Sequence, residues 1–299
     1  MDAQRQELDH FGPWVLEVGP SDPPPPLFLP HLDPTREPLL AIKVPRPIER
    51  RDVRPGMDLY DYLLCLYPDG IVVLRRDGRE VRRWACGYQD VGWVSLSRAL
   101  LQGTLHLDTA AGGFDLPFST ADDAPIRHVI DLVRERYPRP RVPIGAAADA
   151  LTDGSALSFG FQRQLAELCR EDPTIRPVAL QGTVPLGGQE AGLGWGALMR
   201  VAGRRLLESM HLVDGRELLI LDRGTRFAYR WESIYGSVAT WIPLASIRSV
   251  DVTPGRDAAL VTLRTAGTSV VHAFTLGHPW LAACQRILGP AHPAPSLAA

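Results

Sequence analysis

No stretch of this 299-residue chain approaches the run of about 20 apolar residues that a bilayer-spanning helix needs. Met1 to Asp9 is polar and charged, with no apolar run behind it, which predicts no ordinary secretory signal peptide. A basic surplus is missing too: 32 Lys and Arg stand against 34 Asp and Glu, for a formal net charge of −2. Nucleic-acid binding draws its affinity from a basic face that displaces counterions, so no nucleic-acid partner is expected. Cysteine is scarce. Cys65, Cys86, Cys169 and Cys284 show no CxxC spacing and sit among apolar neighbours, the pattern of reduced core thiols rather than a disulfide frame or a zinc site. These absences predict a cytoplasmic protein.

Catalytic motifs are absent as well. The eight histidines, His10, His31, His106, His128, His211, His272, His278 and His292, are scattered without HExxH or an i, i+4 pair. They read as surface or hydrogen-bonded residues, with His106 and His272 in predicted strands. No GxSxG occurs, and no Cys and His share a recognisable catalytic context. Gly192, Gly194 and Gly196 form a GxGxG run, but Gly187-Gly188-Gln189-Glu190 precedes it where a dinucleotide site needs a strand. Asp122-Asp123 reads as a helix entry. The expectation is a non-enzymatic protein with no metal and no small-molecule cofactor.

What is present is enough apolar residue, 45% of the chain, for two domains with real cores plus connectors. Pro23 to Pro26 fixes four successive φ angles and reads as a stiff polyproline spacer. A second change of composition begins at Pro138, Pro140 and Pro143 and runs to about Ser158. Between and beyond these stretches the chain repeats itself. Asp33-Pro34-Thr35, Pro38 and Val44-Pro45 recur as Asp172-Pro173-Thr174, Pro177 and Val184-Pro185. Asp69-Gly70 before Ile71 to Leu74 recurs as Asp214-Gly215 before Leu218 to Leu221. Arg83-Trp84 and Tyr88 match Arg230-Trp231 and Tyr235, and Trp93 to Leu96 matches Trp241 to Leu244. Thr109-Ala110 and Phe118 match Thr265-Ala266 and Phe274. The spacing grows in small steps from 139 residues (33 to 172) to 156 (109 to 265), as a duplication with loop changes requires.

Each copy alternates short β-rich runs with turn chemistry such as Asp77-Gly78, Gly112-Gly113 and Pro254-Gly255. Thr104 to Leu107 and Leu260 to Leu263 alternate as strands buried on one face do. An amphipathic helix closes each copy. In the first, Thr120 is the expected cap, Ile126, Val129, Ile130, Val133 and Tyr137 form the stripe, and Pro138 is the stop. In the second, Pro279 is expected at the first turn, Trp280, Cys284, Ile287 and Leu288 form the stripe, and Gly289-Pro290 ends it. One departure is visible: Phe161, Leu165, Leu168 and Cys169 predict a short helix before Asp172, where the first copy has proline-rich sequence.

Leu218 to Arg223, followed by Trp241-Ile242-Pro243-Leu244-Ala245-Ser246-Ile247-Arg248-Ser249-Val250, resembles the bacterial pleckstrin-homology-like domains. The likeness covers roughly residues 205 to 290. Residues 94 to 99 of the first copy lack the proline and the isoleucine of the motif. The resemblance implies a mainly β fold: two seven-strand bent sandwiches or barrels, each capped by its C-terminal helix, and scaffolding rather than catalysis. The expected layout is an N-terminal proline-rich extension over 1–27, one module over 28–140, a linker over 141–158, a second module over 159–290 and a tail over 291–299.

One charged cluster stands out. Arg75, Arg76, Arg79, Arg82 and Arg83 flank the Asp77-Gly78 turn, offset by Asp77 and Glu80. In the resembled family the corresponding hairpin can hold phosphate headgroups, and arginine forks suit phosphate oxygens. Strand alternation predicts Arg75 and Arg79 on one face and Arg76 and Arg82 nearer the other. The plainer reading is an edge hairpin kept from aggregating by its charge. Only Arg223, Arg226 and Arg230 stand in the second copy. The expected function is an interaction or assembly protein that presents its modules to a protein partner or to itself. The alternative is a peripheral binder of anionic membrane at the inner face, through the Arg75–Arg83 hairpin. An enzyme of unrecognised type is a third reading.

Overall fold

The structure is a computed structural model that describes residues 11–138, 157–186, 203–229, 232 and 234–288. It divides into two compact units, one of residues 1–91, 98–107 and 113–137, the other of 92–97, 108–112 and 138–299. The protein is mainly β: among the described residues there are 43% strand, three helices and several antiparallel sheets, none of which closes into a barrel. Among the described residues no helix is long and apolar enough to cross a membrane. The GxGxG run, Arg230-Trp231, Gly289-Pro290 and nearly all of the expected linker lie outside the described residues.

In the first unit β1 (Leu16–Glu17), β2 (Leu40–Pro45), β3 (Tyr60–Tyr67), β4 (Gly70–Asp77) and β5 (Glu80–Gly87) form one antiparallel sheet in chain order. Its middle strands are apolar at nearly every position because both faces are covered. Ala41, Leu63, Cys65, Val72 and Leu74 face one layer together with Phe11 and Phe28. Ile42, Leu64, Leu66, Ile71 and Val73 lie on the other face and are equally buried. The N-terminal segment supplies the first cover. Phe11, Val15 and Phe28 are buried, Pro25 is buried within the proline run, and the Lys43 ammonium donates to the Pro23 carbonyl at 3.2 Å. The run read as a spacer is therefore a packed strap. Prolines have little freedom to lose when laid on a sheet, which favours this use.

The chain continues through β6 (Val91–Ala99), β7 (Gln102–Thr109) and β8 (Phe114–Ser119) to helix α1 (Ala124–Glu135). β7 and β8 pair antiparallel with Leu105 opposite Leu116. The α1 stripe is as expected: Ile126, Val129, Ile130, Val133 and the following Tyr137 are buried. Its start is not. Thr120 does not cap the helix but donates its amide to the Leu101 carbonyl and its hydroxyl to that of Leu100. The Asp122 carboxylate accepts from the Ala124 amide at 3.1 Å, and Asp123 holds Arg98 and Arg127.

The second unit opens with α2 (Phe159–Glu171), then β9 (Arg176–Gln181), β10 (Val184–Pro185), β11 (Arg205–Leu206), β12 (Ser209–Val213), β13 (Glu217–Asp222), β14 (Phe227–Ala228) and β15 (Gly236–Pro243). β9, β12, β13 and β15 are successive antiparallel neighbours, and β10, β11 and β14 form a small separate sheet. β16 (Ser249–Pro254), β17 (Ala259–Arg264) and β18 (Ser269–Phe274) make a three-stranded meander before α3 (Trp280–Leu288). Ala179, Ile220, Ile242, Phe274, Trp280 and Cys284 share one core. Leu180, Met210, Leu212, Leu219 and Leu221 pack instead with Phe161 of α2. Pro279 stands immediately before α3 rather than inside it.

The two Asp-Pro-Thr segments fold alike. Asp33 Oδ1 accepts from the Thr35 amide and hydroxyl at 2.9 and 2.6 Å, and Asp172 Oδ1 from those of Thr174 at 2.8 and 2.6 Å. All four cysteines are free; Cys65 and Cys284 are buried, while Cys86 and Cys169 are half-buried. Ile126→Ala is expected to lower stability by about 2–4 kcal/mol in urea titrations, through lost contacts and a residual cavity. Arg127→Ala, on the exposed side of the same helix, should cost no more than about 0.5 kcal/mol.

Candidate functional site

The five arginines of the expected site all lie on the β4–β5 hairpin. Gly78, at φ +65°, supplies the positive angle that a two-residue turn needs at its first central position, and Asp77 pairs with Glu80 across it. This register settles the faces. Arg75 is directly opposite Arg82, Leu74 opposite Arg83 and Arg76 opposite Val81. Directly paired residues share a face, so Arg75 and Arg82 lie together, and Arg76 lies with Arg83. The expected grouping of Arg76 with Arg82 is corrected. The two-residue turn places Arg79 at the tip and shifts the alternation of β5 by one.

Ion pairs divide the set further. Arg76 is a structural residue: its Nε and Nη2 reach Asp61 at 2.9 and 2.7 Å, and Asp61 also faces Arg46 at 3.9 Å. Arg82 is paired with Asp77 at 2.5 Å. Among the described residues no carboxylate pairs with Arg75, Arg79 or Arg83. These three guanidiniums point to two faces and a tip and do not converge on one point. Such a charged ridge on the outer strand of a sheet suits an extended anionic surface better than a single phosphate.

Compared with known proteins, the chain matches no family model and no curated protein. The site is thus defined by its geometry alone. One side of the ridge carries an aromatic group that local sequence pattern did not single out. Trp84 stacks on Phe114 with ring centroids 5.5 Å apart, and Phe114 meets Tyr62 edge-on at 6.0 Å. Arg75 lies 5.8 Å from the Tyr62 ring centre, a cation–π contact that burial of the ring strengthens. Burial, ahead of the neighbouring charges, raises the Tyr62 phenol above its usual range. Trp84 is legible as part of an arginine–tryptophan pair, but Phe114 stands on a different hairpin and only the fold brings it in.

The arginines of the second unit do other work. Arg223 donates from Nε to Glu208 at 2.9 Å and lies 4.7 Å over the Phe161 ring. The same buried Glu208 accepts from the Ser158 amide and hydroxyl, both at 2.8 Å, so this arginine secures α2 to the sheet.

Inside the second unit, three histidines gather that the sequence presented as scattered. His211 of β12 meets His272 of β18 edge-on at 4.9 Å, Phe274 at 5.0 Å and Trp280 at 5.8 Å. His278 donates from Nε2 to the Leu180 carbonyl and accepts the Trp280 amide at Nδ1, which fixes its tautomer. Among the described residues neither nitrogen of His211 nor the Trp280 indole N–H has a hydrogen-bond partner. His211 and His272 are core residues, where a surface or hydrogen-bonded role was expected. Burial pushes both well below the ordinary imidazole range, His272 to about 4, with Arg226 adding to the effect there and His272 and His278 adding to it at His211. Asp222 stands 3.8 Å from His272, and burial raises that carboxyl, against the opposing Gly224 amide and Arg226, as it lowers the imidazole.

A histidine depressed in the folded state contributes stability that is complete above its unfolded value of about 6.5 and is lost as pH falls toward the folded value. Urea midpoints should therefore drop between about pH 6.5 and pH 4. For His272 alone the loss is on the order of 3 kcal/mol. His272→Leu should flatten this dependence; an unchanged slope in that variant would show that other groups carry it.

Proposed function

We propose that this chain is a non-enzymatic interaction or assembly protein built from two pleckstrin-homology-like units. The observation that carries the reading is the strand order. The first unit and its extension run through β2, β3, β4 and β5, then β6, β7 and β8, then α1. The second runs through β9, β12, β13 and β15, then β16, β17 and β18, then α3. Leaving aside the small sheet of β10, β11 and β14, seven strands and a closing helix in each are in keeping with the resemblance, and the two Asp-Pro-Thr turns support common descent. This order sets β6 against β16, so the sequence match of residues 93–96 with residues 241–244, which lie in and just after β15, is not kept. Such units act by presenting surfaces, here to a protein partner or to a second copy. The expected result is a stoichiometric partner retained through affinity capture and gel filtration, or concentration-dependent self-association. A monomer at every concentration that retains nothing would overturn the proposal.

A second reading, binding to an anionic membrane surface, rests on Arg75, Arg79 and Arg83 standing on one hairpin without carboxylate partners among the described residues. It predicts sedimentation with vesicles containing phosphatidylserine and release by high salt, since exposed charges act over only about 8–10 Å at physiological ionic strength. The double variant Arg79→Glu/Arg83→Glu should lose the binding without loss of stability. Retained binding in that variant would exclude the hairpin.

A further inference from the structure

β5 ends its sheet. It pairs with β4 on one side and, among the described residues, with no strand on the other. The edge runs for eight residues, Glu80–Gly87, with no proline and no shift of register against β4. Natural edges are commonly shortened, bulged or covered, because their outer amides and carbonyls will pair with any extended chain.

The turn fixes which groups face out. Gly78 and Arg79 form a two-residue turn, so Asp77 and Glu80, which flank it, exchange backbone hydrogen bonds. Alternation then directs the backbone groups of Arg82, Trp84 and Cys86 to β4, and those of Val81, Arg83, Ala85 and Gly87 outward. Gly87 fits this phase: its amide is taken by the Asp90 carboxylate at 3.2 Å, which closes the edge at that end. The outward groups of Val81, Arg83 and Ala85 have no hydrogen-bond partner among the described residues, and Arg82, Arg83 and Ala85 are exposed.

Charge chooses between occupants of this edge. Among the described residues Arg79, at the tip, and Arg83 have no carboxylate partner, and Arg82 has the exposed Asp77. Glu80 is the one acid on the strand. A second copy of β5 is disfavoured. The antiparallel register that would satisfy all three open residues sets Arg83 opposite Arg83, and the next register toward the turn sets Arg82 opposite Arg82. Like charges directly opposite destabilise a strand pair. The charge that repels a second copy draws in an acidic strand. A carboxylate opposite Arg83 meets it on one face, and a carboxylate opposite Arg82 meets it on the other, where the exposed pair with Asp77 is cheaply exchanged. An apolar residue opposite Trp84 lies beside the Trp84–Phe114 stack.

We propose that the open edge of β5 takes up an extended acidic segment of a partner protein as an added strand. The inference rests on the interaction reading above and names the partner's chemistry: two neighbouring acidic residues between apolar, β-branched ones.

The probe is a fluorescein-labelled hexapeptide, Thr-Val-Glu-Glu-Val-Thr, which reads alike in both directions and so suits parallel or antiparallel addition. Its anisotropy should rise with added full-length protein, while Thr-Val-Lys-Lys-Val-Thr should not bind. Arg83→Glu should weaken binding of the acidic peptide at least about tenfold. Ala85→Pro removes an outward amide that β4 does not use, a change that edge strands tolerate. It should abolish binding and leave the circular dichroism unchanged. Methylating alternate backbone nitrogens of the peptide puts the same question to the wild-type protein: one alternation should abolish binding and the complementary one should spare it. Wild type that ignores the acidic peptide, equal effects of the two alternations, or an Ala85→Pro protein of native dichroism that binds normally would each overturn the proposal. So would binding of phosphatidylserine vesicles without binding of the peptide, which assigns the hairpin to a membrane instead. In any of these cases a chain that still retains a stoichiometric partner or self-associates keeps the interaction reading, and the β5 edge alone is lost.

Discussion

Everything in either unit follows from one constraint: the central strands bury apolar side chains on both faces, so each sheet has to be covered twice. Leu63 and Cys65 face one way along β3 while Leu64 and Leu66 face the other, and all four are buried. In β12, Met210 and Leu212 face α2 while His211 faces the core. A sheet with one bare apolar face would expose a patch that invites aggregation. The second cover is therefore as much a part of the fold as the first. The two units meet this need differently: one lays a proline-bearing strap over its sheet, the other a helix anchored by Phe161. That is why proline-rich sequence precedes the sheet in one unit and a helical apolar stripe precedes it in the other.

The same constraint explains which parts of the structure could be read from sequence. The apolar runs at Ile71 to Leu74 and Leu218 to Leu221 are strands because both faces are buried, and their composition alone says so. The stripes of α1 and α3 were legible for the same reason. Asp33-Pro34-Thr35 was legible because an Asx turn is a local device, closed within three residues. The strap was not legible. Proline fixes φ without saying what the segment lies against, and the partners that hold it, Lys43 and the β2–β4 face, are distant in sequence. Thr120 was misread for a related reason. A threonine ahead of a helix satisfies the local pattern of a cap, but here it completes a tertiary hydrogen bond to the Leu100 turn.

Among the charged residues, sequence proximity was a poor guide to function. Five arginines within nine positions look like one site, yet Asp61, fifteen residues before Arg76 in the pairing strand, takes Arg76 out of it, and Asp77 takes Arg82. An arginine is available to a ligand only if no carboxylate has already satisfied it, and that depends on the register of β3, β4 and β5. The histidines show the converse. Positions 211, 272 and 278 share no spacing motif, but packing of β12, β18 and the α3 entry puts the rings of His211 and His272 in contact and that of His278 against Phe274, which His211 also meets.

A core covered on both faces leaves little room for variation within the sheets, so differences between the units collect in covers and turns. The strap leaves a cavity above Ala41 and Leu63 that a helix of regular diameter would not shape in the same way. The β6–β7 turn carries exposed Leu100 and Leu101, whereas the β16–β17 turn carries Gly255, Arg256 and Asp257. The arginines on β4 and β5 stand partly unpaired, where Arg223 is absorbed into holding α2. The hairpin arginines without carboxylate partners among the described residues stand on the first unit, while Arg223 of the second is taken up by Glu208 and the Phe161 ring. The buried histidines of the second unit, pushed below the ordinary imidazole range by burial, tie the stability of its core to pH.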